Sequence, residues 1–203
     1  MEITPKSLDW QEAYKLLIGS IVPRPIAFVS TIDLKGTPNV APYSFFTAIC
    51  ADPMLICFSP MRKGTNGNKK DTLLNIEETK EFVINIVSQE FVREMNDTAQ
   101  DLPQEIDEFD LVGLEKTPSH TVKPYRVKES KVQLECTLHD VLHFGDKPGA
   151  GSLVIGQVQH VHIRDDLFNE GKIDTELLKP IGRLAGQTFT NPLAETFDLV
   201  RKR

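Results

Sequence analysis

The alternation of apolar and polar positions is strongest between Val132 and Leu138. There Val132, Leu134, Cys136 and Leu138 face one way and Gln133, Glu135, Thr137 and His139 the other, which predicts a strand buried on one face. The Gly145–Gly149 segment then predicts a turn, and Ser152–Ile163 a second long strand with a bulge at Gly156. Upstream, Ile26–Ile32 reads as a strand that turns at Asp33–Gly36 and returns as one strand over 39–48, interrupted by Pro42. Met54–Ser59 and Phe82–Val87 complete a set of six strands.

Helices fall between them. Ser7 is placed to cap a helix carrying Leu8, Ala13, Leu16 and Leu17 that ends near Gly19, before Pro23 and Pro25 force an extended chain. Asp71 is placed to cap one with Leu73, Leu74 and Ile76 on its inner face, and Ser88 one with Phe91, Val92 and Met95. A short acidic helix is expected near 174–178. The stretch from Asp97 to about Lys123 is acidic and weakly patterned, and reads as solvated loop. Strands spaced by turns, with helices inserted, predict a mainly β barrel with helical decoration.

At 203 residues and 40% hydrophobic content, the chain suits a single domain with its own core, over about 20–165, and a C-terminal extension over about 166–203. A net charge of −6 argues against nucleic acid or anionic membrane as a partner. No apolar run is long enough to span a bilayer, and the N-terminus lacks a signal-peptide pattern, so the cytoplasm is the expected location. Cys50, Cys57 and Cys136 sit in apolar stretches without metal-ligand spacing. The five histidines, paired i, i+2 at His160 and His162, lack a carboxylate or thiol to complete a site, so no metal is expected.

Two segments carry candidate chemistry. In the first hairpin, Ser30, Thr31, Asn39, Ala41, Pro42, Tyr43 and Ser44 offer hydroxyl and backbone groups, and Phe45 and Phe46 an apolar wall. A flat heteroaromatic ligand needs that combination, although an ordinary hairpin with core phenylalanines would use the same residues. In the second, Ser59, Arg62, Lys63, Lys70, Asp71 and Thr72 surround Gly64 and Gly67 just before a helix start. Guanidinium, ammonium, hydroxyl and free backbone N–H groups together suit a phosphate, or else a solvated basic loop. No G-x-S-x-G, H-E-x-x-H or G-x-G-x-x-G pattern occurs.

In order and spacing, PRPIAFVSTIDLKGTPNVAPYSFF (23–46), LICFSP (55–60), KKDTLLNIEETKEFVINIV (69–87), ESKVQLECTL (129–138), SLVIGQVQHVHI (152–163) and PIGRLAGQTF (180–189) resemble the flavin reductase-like family of FMN-binding split barrels, most nearly its flavoredoxin-like branch. That resemblance implies a six-stranded split Greek-key barrel and a homodimer holding FMN noncovalently. The first hairpin would line the flavin ring, the 59–72 segment would hold the phosphate, and Arg183 would touch flavin or nicotinamide. Ala185 and Phe189 depart from a glycine and a tyrosine common in the family's closing motif. The implied activity is NAD(P)H-dependent flavin reduction, with electrons passed to free flavin, a monooxygenase or another acceptor, a protein electron acceptor among them. A non-enzymatic electron carrier or flavin-binding module is the alternative. In either case the chemistry would be borne by the flavin, with no catalytic side chain.

Overall fold

The computed structural model describes residues 1–200. Its centre is one antiparallel sheet of seven strands. In chain order these are β1 (Ala27–Ile32), β2 (Pro38–Tyr43), β3 (Phe46–Ala51), β4 (Met54–Phe58), β5 (Glu81–Ile86) and, after two short strands β6 (Lys116–Thr117) and β7 (Arg126–Val127), β8 (Val132–His143) and β9 (Ser152–Ile163). Across the sheet they run β2-β1-β5-β8-β9-β4-β3.

The single strand expected over 39–48 is therefore two strands, and they lie at opposite edges of the sheet. Pro42 does not break it: β1 and β2 stay in register from Ala27↔Tyr43 to Ile32↔Pro38. The corner is at Ser44–Phe45. If the sheet were flat, its edges would lie six spacings of about 4.8 Å apart. The chain covers that gap in three steps of about 3.5 Å each, so the sheet must curl to bring the end of β2 close to the start of β3. Phe45 marks the junction, its carbonyl accepting the Ser59 N–H at 2.8 Å.

β1 is buried on both faces and separates two apolar clusters. Inside the curl lie Ala27, Val29, Phe58, Phe82, Ile84, Leu134, Cys136 and Val154, with Leu73 and Ile76 from α2 (Asp71–Thr79). Outside it, Phe28, Val40 and Phe91 pack with Met95 of α3 (Val92–Asp97) and Phe109 of α4 (Glu108–Val112). Helix α4 replaces part of the solvated loop expected there. Gly156 is not a bulge. A Cβ on it would lie 2.3 Å from Phe82 Cζ, so its bare backbone makes room for that ring.

The bulges fall at His139 in β8 and Gln159 in β9, which pairing skips. The second has a parity effect: Val154 and Val158 turn toward the core, but beyond Gln159 it is Ile163 that packs there. His160 and His162 consequently share the outer face with Glu135.

Asp9, not Ser7, caps α1 (Trp10–Ser20): its carboxylate accepts the Glu12 N–H at 2.7 Å and Glu12 accepts the Asp9 N–H at 3.0 Å. Ser88 precedes a 3₁₀ turn and its side chain makes no cap hydrogen bond. The acidic helix is present as α5 (Thr175–Leu178), capped by Asp174. Two-stranded ribbons, β10 (Phe168–Asn169) with β11 (Lys172–Ile173) and β12 (Gly182–Arg183) with β13 (Phe189–Thr190), complete the described chain. Among the described residues no helix is long and apolar enough to cross a membrane.

Candidate functional site

A cleft of about 270 Å³ opens beside the Ser44–Phe45 corner. One wall is β2 and the corner after it: Asn39, Ala41, Pro42, Tyr43, Ser44 and Phe45. β2 is an edge strand, and Val40 N–H points away from β1, donating to Glu108 at 3.2 Å. Period two places the Pro42 backbone on the same outward side, where a missing N–H costs no ladder bond. Tyr43 packs on Phe58 with ring centroids 5.3 Å apart, and burial raises its phenol above the ordinary value.

The opposite wall holds Ser59, Arg62, Lys70, Asp71 and Thr72. Asp71 does not cap α2; it is the first helical residue, Lys70 takes the cap position, and no side chain caps the helix. Its carboxylate instead accepts from Lys63 Nζ at 3.3 Å. This pairing offsets a charge that would otherwise oppose an anion. Arg62 Nε is buried in the cleft wall with no hydrogen-bond partner. A guanidinium N–H held in that state beside an uncapped helix start is a donor set matched to an anionic ligand.

Four of the remaining predicted residues stand behind the cleft. Ser30 is fully buried and donates to the Tyr125 carbonyl at 2.5 Å. Thr31, also buried, accepts from Asn75 Nδ2 at 3.0 Å and donates to Asn39 Oδ1 at 3.3 Å, so it supports Asn39 without facing the cavity. Phe46 packs on the inner core, and Lys63 acts through Asp71. Arg183 stacks on Phe189 at 4.3 Å in an adjoining recess that shares Tyr14, Pro42 and Ser44 with the cleft.

Several contributors were not foreseen, among them Asp101, which lines the cleft and accepts from Lys70 Nζ at 2.5 Å. Tyr14 of α1 lines the cleft. Arg24, only 4% exposed, donates to the carbonyls of Ile18, Ile21 and Leu184 and to Ser44 Oγ, so it ties α1 and the closing segment to the corner. Glu108 of α4 is buried and receives Asn39 Nδ2 at 2.8 Å. Burial raises its pKa, while hydrogen bonds to its carboxylate oppose the shift. Asn39 Oδ1 in turn accepts from Thr72 Oγ1 at 2.7 Å, which joins the two walls. The histidines are not all scattered: His143 bonds Ser152 Oγ at 2.9 Å, whereas His120, His160 and His162 converge on the outer sheet face.

The sequence matches the family model described as flavin reductase like domain over residues 18–178. Nitrilotriacetate monooxygenase component B from Bacillus cereus is 40% identical, with a TM-score of 0.92 and 98% of each chain covered. The Pseudomonas fluorescens 2-nitrobenzoate 2-nitroreductase NbaA is 30% identical, with a TM-score of 0.87, covering 99% of this chain and 96% of that one. Flavoredoxin of Desulfovibrio vulgaris shares the fold at 20% identity and a TM-score of 0.72, covering 100% of this chain and 97% of that one.

Proposed function

We propose that this chain, which belongs to the flavin reductase-like family of split-barrel proteins, binds FMN in the cleft and works as an NAD(P)H-dependent flavin oxidoreductase. The observation that carries the reading is the buried, unpartnered Arg62 Nε in the wall of the cleft that the uncapped start of α2 also lines. Arg62, Lys70, Ser59, Thr72 and the first N–H groups of α2 would hold the phosphate. The outward backbone of β2 and the side chains from Ala41 to Phe45 would line the flavin ring. Hydride chemistry is supplied by the flavin when bound. The chain's part is to orient the ring, exclude water through Tyr14 and Phe45, and admit nicotinamide beside Arg183. No cleft side chain is required as acid or base.

The name of the 40% identical Bacillus cereus protein, a monooxygenase component, supports a monooxygenase as the destination of the electrons. The reading includes a six-stranded Greek-key barrel core, a cytoplasmic location and a homodimer. β3 exposes Thr47 to Ala51 as an unpaired edge, with Ile49 and nearby Met54 uncovered, and a second copy would shield it.

The visible spectrum of protein purified from a flavin-sufficient host tests the proposal. Flavin bands that bleach anaerobically with NADH or NADPH are the expected result. Bands that persist would replace the reductase with a carrier or binding module. A colourless protein that takes up no added FMN would overturn the reading altogether.

A further inference from the structure

On the outer face of the sheet, away from the residues lining the cleft, His120, His160 and His162 form a cluster. Their ring centroids are 4.5 to 5.0 Å apart, and one ligating nitrogen from each lies within 4.8 Å of the others. Two come from β9, turned to this face by the bulge at Gln159, whose side chain donates to Thr137 Oγ1 at 2.8 Å. The third comes from the loop between β6 and β7 that crosses above.

One carboxylate organises all of this. Glu135 is fully buried and lies opposite His160 in the ladder. It accepts the His120 N–H at 2.7 Å, the Thr121 N–H at 2.6 Å and His162 Nε2 at 2.6 Å. It therefore fixes the loop that carries the first histidine and orients the ring of the third through Nε2, with Nδ1 not bonded to it. A carboxylate on the far nitrogen of an imidazole is the usual outer partner of a metal-bound histidine. Arg126 Nε, 3.9 Å from Glu135, balances the carboxylate charge, so three imidazole nitrogens remain to meet a cation.

We propose that His120, His160 and His162 form a binding site for a divalent transition-metal ion, with Glu135 as its positioning residue. Tetrahedral zinc, at about 2.0 to 2.1 Å from each nitrogen, needs ligand nitrogens about 3.3 Å apart, which small side-chain rotations supply. Three imidazoles suit zinc, cobalt, nickel or copper over magnesium or calcium, and the exposed edge at His120 leaves a fourth position for water. Bound metal would pin the 118–125 loop to β9. Nothing in this site depends on flavin.

The test uses tag-free, chelator-stripped full-length protein titrated with Zn²⁺ and Co²⁺. Expected are about one equivalent of tightly bound zinc and the intense visible bands of tetrahedral cobalt. His120→Ala, in an exposed loop, should abolish both, while His139→Ala should change neither. Glu135→Gln should weaken binding about 10- to 100-fold if it folds. Zinc uptake that is substoichiometric, or that is unchanged in His120→Ala with the circular dichroism spectrum intact, would overturn the proposal.

Discussion

Glu108 and Asn39, 69 residues apart in sequence, meet at 2.8 Å across the floor of the cleft. The carboxylate also accepts Val40 N–H, so one side chain holds both the edge of β2 and the amide that reaches Thr72. Glu108→Ala leaves two buried donors unpaired and should cost about 1–3 kcal/mol in urea denaturation, with weaker FMN binding by fluorescence titration.

The same residue sets a pH dependence. Its folded pKa lies above the ordinary 4.5, so the folded state binds the proton more tightly than the unfolded chain does. Its contribution is fully present below 4.5 and is lost as pH rises through the folded value. The stability of the native protein relative to Glu108→Gln should fall across that interval and level off above it. Denaturation curves from pH 4 to 8 would show the trend, and a constant difference would contradict it.

Arg62→Ala should weaken FMN binding by roughly 1.5–3 kcal/mol, the range for a charged hydrogen bond. Stability should change little, because Arg62 Nε has no protein partner and Nη1 has only a long bond to the Gly67 carbonyl, at 3.4 Å. An unchanged FMN dissociation constant would remove Arg62 from the site.

Lys131, almost fully buried, donates to Glu90 at 2.7 Å and to the Leu177 carbonyl at 2.7 Å, clasping α5 to the barrel. Partial burial pushes Glu90 upward, but the hydrogen bond and charge of Lys131 oppose it, and the carboxyl is held at about 2. A lowered folded pKa gives stability that is present above the ordinary 4.5 and lost as pH falls toward about 2. Glu90 is nearly half exposed, so water screens the pair and the electrostatic part is small. Lys131→Met should cost about 1–2 kcal/mol at neutral pH and flatten the acid limb of the stability profile.

Gly156→Ala places a methyl against the Phe82 ring and should destabilise by about 1–3 kcal/mol, read as a lower denaturation midpoint. Combining it with Phe82→Leu should recover part of the loss.

What was legible in the sequence follows the range of the forces involved. β8 and β9 declare themselves because alternation is local, and the basic loop before α2 because its chemistry is contiguous. The break after Tyr43 was assigned to Pro42 because proline is the local signal. The actual corner, at Ser44–Phe45, is set by the need to pass from one sheet edge to the other. Glu108 looked solvated among Asp107 and Asp110, since the donors that bury it lie in β2. Likewise His160 and His162 lacked a third ligand until the loop brought His120 over them.

The bulge at Gln159 gives β9 something like a reading frame. Pairing that one residue regularly with Glu135 would leave every downstream letter intact and reverse its sense: Ile163 would be read outward, and His160 and His162 into the apolar interior. The histidine cluster is thus a property of counting as much as of composition, and loss of the bulge with Gln159 retained would erase it without altering one histidine.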